Sequence, residues 1–71
     1  MSINLKFRLD PEAEVEFFRR HKKRIEIAAW LGNAGAAALR DIVAAARLDP
    51  TEQNIANMTV AIAEYRRSLM N

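Results

Sequence analysis

Cysteine is absent from the 71 residues, which excludes disulfide staples and thiolate metal ligands in one step. A single histidine, His21, cannot build a zinc site of nitrogen and sulfur ligands by itself. Glycine and proline occur only twice each, too few for a Gly/Pro-rich low-complexity chain, and neither glycine sits in a phosphate-loop pattern. No Asp/Glu cluster has calcium-loop spacing. The longest stretch free of charge, Ile27 to Leu39, is 13 residues long, short of the roughly 20 a bilayer-spanning helix needs. No metal, no cofactor and no membrane span are therefore expected. The opening Met-Ser-Ile-Asn-Leu-Lys-Phe-Arg alternates and does not lead into an apolar signal core, so the expected location is cytoplasmic.

Half of the residues are hydrophobic, at 51%, and 28% are charged, the balance of a globular chain. One domain, 1–71, is all this length allows, and it buries only about 60% of the surface of the unfolded chain. With no staple available, helix packing or oligomerisation must supply the missing stability. The net charge of +2 hides an uneven distribution. Residues 1–24 hold seven Lys/Arg against four Asp/Glu, whereas residues 25–71 hold four against five.

The odd positions Ile3, Leu5, Phe7 and Leu9 are apolar and Asn4, Lys6 and Arg8 are polar, a strand period over about 3–9 with one buried face. A lone strand cannot satisfy its own backbone, so its expected partner is a second copy of the chain. Asp10-Pro11 then signals a helix start, with Asp10 as N-cap. Val15, Phe18, Ile25 and Ala29 mark an apolar stripe that Phe17, Ala28 and Leu31 widen, which predicts a helix over about 11–31. Lys22 interrupts that stripe. Both glycines fall in Gly32-Asn33-Ala34-Gly35, a left-handed cap and reversal. A second, alanine-rich helix is expected over 35–48, with Leu39, Ile42, Val43 and Ala46 inward. Asp49-Pro50 repeats the start signal, and Ile55, Met58, Ile62, Tyr65 and Leu69 predict a third helix over 50–70. The fold class expected is mainly α, a short N-terminal strand pairing between chains followed by three helices, in a dimer.

Catalysis needs a nucleophile beside a base, paired carboxylates or a bound ion, and this sequence offers none of them, so a non-enzymatic protein is expected. His21 sits among like charges and reads as a solvated helix-face residue. Glu12, Glu14 and Glu16 are two apart and read as complements to the helix dipole. Arg19, Arg20, Lys22, Lys23 and Arg24 place five cations in six residues; phosphate is a natural counter-ion, and a solvated face offset by neighbouring glutamates is the other reading. Trp30 and Tyr65 are candidates for a partner surface.

The segment Leu5-Lys6-Phe7-Arg8-Leu9-Asp10-Pro11-Glu12 resembles the opening of ribbon-helix-helix repressors of the Arc and Met repressor type: an alternating strand with basic residues on its outward face, then a proline-started helix. The resemblance implies a two-chain antiparallel ribbon entering the major groove of duplex DNA. By position, Asn4, Lys6 and Arg8 would read bases, Ile3, Leu5, Phe7 and Leu9 would form the dimer interface, and Arg19, Arg20, Lys22, Lys23 and Arg24 would hold phosphate. The function so implied is that of a small dimeric DNA-binding regulator. The alternative from another class is a helical protein–protein interaction module, an adaptor, inhibitor or assembly subunit, with itself or another protein as partner.

Overall fold

The computed structural model describes residues 10–70, which form three helices: α1 (Pro11–Trp30), α2 (Ala34–Leu48) and α3 (Glu52–Met70). Among the described residues there is no strand, so the expected mixed architecture, a strand followed by helices, is corrected to helices alone. The proposed strand at 3–9, with its face of Ile3, Leu5, Phe7 and Leu9 and its face of Asn4, Lys6 and Arg8, lies outside the described residues. Chain pairing through that strand, the basis for expecting a dimer, rests on the same residues and likewise lies outside the described ones. Three helices close a core by packing on one another, which needs no intermolecular ladder.

The chain's few turn-forming residues explain where each helix begins and ends. The Asp10 carboxylate accepts a hydrogen bond from the Glu12 N–H at 3.1 Å, and Pro11 occupies the first helical turn, where no N–H is missed. At the other end Gly32 adopts φ +100. Its N–H bonds to the Ala29 carbonyl at 3.1 Å, and the Asn33 N–H bonds to the Ala28 carbonyl at 3.0 Å. This pair of bonds is the Schellman arrangement, which closes the last carbonyls of a helix with glycine in the left-handed region. Asn33 then starts the next helix, its side-chain oxygen accepting from the Ala36 N–H at 2.9 Å. One three-residue loop thus ends α1 and caps α2.

The second loop departs from the sequence expectation. Asp49 closes α2, its N–H bonding to the Ala45 carbonyl at 3.0 Å, and Thr51 takes the N-cap role expected of Asp49. The Thr51 hydroxyl oxygen accepts from the Asn54 N–H at 3.1 Å, and the Asn54 amide donates back to the Asp49 carbonyl at 2.8 Å. α3 therefore begins at Glu52, not at residue 50. Asp-Pro carries the same N-terminal signal in both places, but here a hydroxyl two residues later competes for the cap and wins.

The core is a compact cluster of Phe18 and Ile25 from α1, Ala36, Leu39 and Val43 from α2, and Ile62 from α3. Ala36 is fully buried, and its small side chain lets the helices approach closely. Ile25 and Ile62 are the largest side chains buried outright. α3 turns Thr59, Ile62 and Ala63 inward, while Leu69, assigned to its apolar stripe, is exposed and Ile55 is partly so. The buried Thr59 hydroxyl donates to the Ile55 carbonyl at 2.8 Å, so it enters the core with its hydrogen bond made.

Candidate functional site

Glu14 is the main charged exception to an apolar interior. It is 4% exposed and receives two hydrogen bonds from Arg66 of α3, from Nε to Oε1 at 3.1 Å and from Nη2 to Oε2 at 2.6 Å. The fork-to-fork geometry suits a guanidinium and no other cation. Hydrogen bonding to the Glu14 carboxylate, then its charge, holds Arg66 above the ordinary guanidinium range. The pair clips the start of α1 to the end of α3, 52 residues apart. The expectation that Glu12, Glu14 and Glu16 act alike as dipole complements is corrected: Glu14 belongs to the buried face. Its spacing of four from Phe18 and eleven from Ile25 was the available signal.

His21 is also tied down, not freely solvated. Its ring stacks on Phe17, with centroids 4.4 Å apart, and its Nδ1 lies 2.9 Å from the Phe17 carbonyl, to which it donates. Among the described residues no cluster of His, Asp or Glu could hold a metal ion, and no helix is long and apolar enough to cross a membrane.

α1 divides the basic run. Arg20, Lys23 and Arg24 are exposed and, by helical spacing, lie on its outer face, away from Phe18 and Ile25. Arg19 and Lys22 lie nearer the seam with α2, where both line hollows between the helices. Arg19 and Arg20 are both drawn to Glu16, at 3.8 and 3.4 Å, exposed pairs of small energetic value. The base-reading trio Asn4, Lys6 and Arg8 and the interface set Ile3, Leu5, Phe7 and Leu9 are not brought to this face or any other, being outside the described residues.

The outer face of α1 ends in an apolar tip. Ile27 is 56% exposed, Trp30 84% and Leu31 73%. Ile27 stands one turn before Trp30 and Leu31, so the three side chains adjoin. Leu31, which the stripe placed inward, is exposed because the Schellman turn begins there and swings the chain toward α2. Tyr65, the other candidate for a partner surface, is half-buried and packs against the core. The two aromatics proposed together are therefore separated in role, and only Trp30 presents its ring to solvent. Comparison of the chain with protein-family models, curated proteins and solved structures gave no match.

Proposed function

We propose that the protein is a non-enzymatic helical interaction module that binds another protein through the outer face of α1. The observation that carries this reading is the tip formed by Ile27, Trp30 and Leu31, three large apolar side chains mostly open to water with Lys23 and Arg24 a turn earlier. Trp and Arg dominate the energetic centres of protein interfaces because they combine a broad apolar surface with directed polar contacts. The same face favours a protein partner over an anionic surface. Glu16 stands eleven residues, three helical turns, before Ile27, so the face runs from acidic through basic to apolar. An interfacial helix carries its apolar stripe along its length, and a phosphate-binding face gains nothing from acids beside its cations.

We propose no ribbon mode of DNA binding, since the segment that would form the ribbon, 3–9, lies outside the described residues. The test places a photo-crosslinking residue at position 30 of the full chain in cells. The expected result is a discrete adduct with one protein, lost when Leu31→Glu is added, together with no shift of duplex DNA at about 150 mM salt. Crosslinks to nucleic acid alone, or an adduct insensitive to Leu31→Glu, would overturn the reading.

A further inference from the structure

A second surface lies between α1 and α2 and shares no residue with the outer face described above. All three helices enclose an apolar hollow of about 210 Å3, floored by Phe18, Val43, Met58 and Ile62. Phe18, Val43 and Arg47 also line a second hollow that continues along α1 to Lys22 and Glu26 and along α2 to Arg40, so the two form one open trough along the α1–α2 seam. Leu48, 87% exposed, lines it beside Arg47. The rim is strongly one-signed. Arg19 and Lys22 stand on the α1 edge and Arg40 and Arg47 on the α2 edge, against a single acid, Glu26. Among the described residues Lys22 and Arg47 form no ion pair, and Arg40 meets only its neighbour Asp41, at 3.5 Å.

From these observations we infer that the trough is a docking groove for an acidic amphipathic helix of a partner protein. An apolar floor between two cationic edges matches a helix whose apolar stripe, at i, i+3, i+4 and i+7, is flanked on both sides by carboxylates. Arg40 and Arg47 are seven residues apart, two turns of α2, and Arg19 and Lys22 one turn of α1. The rim can therefore meet carboxylates on successive turns of the incoming helix. The openness of the trough suits a helix lying along it better than a small molecule, which takes most of its affinity from enclosure. The chain's own residues 1–9 carry Lys6 and Arg8 and no acid. They match the rim in sign and are poor occupants, and a second copy, of net charge +2, shares that defect.

The test uses the full chain and a fluorescently labelled synthetic peptide, an amphipathic helix of about 18 residues with a leucine stripe between glutamate flanks. Fluorescence anisotropy should show saturable binding that weakens as salt is raised. Lys22→Glu combined with Arg47→Glu should weaken it at least about tenfold. A peptide with the same stripe and lysine flanks should fail on the wild type and bind the double variant, a rescue that also shows the variant to be folded. Trp30→Ala should leave the affinity unchanged, which separates this groove from the surface on α1. Absence of binding at about 1 mM peptide, or equal binding of the glutamate and lysine peptides by the wild type, would overturn the assignment.

Discussion

At the scale of the residue, the Glu14–Arg66 pair and Trp30 illustrate opposite relations between a side chain and the fold. Glu14 is buried, and Arg66 is its ion-pair partner, so removing Arg66 leaves a carboxylate facing apolar neighbours. Arg66→Met should destabilise the protein by about 1–3 kcal/mol, between the values for exposed and fully buried pairs, because Arg66 itself keeps contact with water. Chemical denaturation would measure this, and a loss below about 0.3 kcal/mol would mean that the clip does not stabilise the bundle. The pH dependence follows from the direction of the Arg66 shift. A cation whose pKa is raised on folding contributes fully below its unfolded pKa and loses that contribution only as pH rises through the folded one. Both lie in the strongly alkaline range, so the difference in stability between wild type and Arg66→Met should not fall between about pH 7 and 9. A difference that shrank over that window would point to another titrating group. Trp30, by contrast, is 84% exposed, and Trp30→Ala should change stability by less than about 0.5 kcal/mol.

Among the elements, the two loops carry more information than their length suggests. Asn33 closes one helix and opens the next, and Asn33→Ala should cost about 0.5–2 kcal/mol through loss of the cap on the Ala36 N–H. The glycines around it should respond in opposite directions. A Cβ on Gly32 would meet no atom within 4 Å, but φ +100 is unfavourable for any L side chain. Gly32→Ala should therefore destabilise by about 1 kcal/mol through backbone conformation alone. Gly35 lies inside α2 with ordinary backbone angles, and a Cβ there would stand 3.4 Å from the Asn33 side-chain oxygen, a tolerable contact. Gly35→Ala should stabilise by up to about 0.5–1 kcal/mol, since alanine restricts the unfolded chain. Thermal unfolding of the two variants side by side would decide it, and equal effects would show that the loop conformation is not the cause.

Over the whole molecule, three helices of 20, 15 and 19 residues enclose a small core, and every major core deletion should be felt. Ile25→Ala or Ile62→Ala should each cost about 2–5 kcal/mol, a large share of what a domain this size possesses, and calorimetry should show the melting point fall accordingly. Several of the apolar residues that the core does not accommodate gather at the tip of α1 (Ile27, Trp30, Leu31) and along the trough between α1 and α2 (Ile55, Leu48). A chain with two such surfaces, one graded in charge and one rimmed by cations, is suited to hold two partner segments at once. Much of the architecture was readable in advance. The period of the apolar residues and the Asp-Pro, Asn and Gly signals encode three helices and their approximate ends, because helix formation and capping depend on neighbours within about four positions. Local rules failed where two signals competed, at Asp49 and Thr51. They failed more completely for Glu14, because the guanidinium that makes its burial tolerable lies 52 residues away. The alternation of residues 3–9 was equally local, and a strand additionally needs a partner that no local pattern supplies. The sequence by itself determined the helices, their caps and the surplus of positive charge on the first of them. Only the tertiary structure decided which of five neighbouring cations face the seam and which face outward, that Trp30 is open to solvent while Tyr65 packs inward, and that an acid belongs in the core. Those outcomes depend on the angles at which the helices cross and on contacts between distant residues, which the spacing along one helix does not specify.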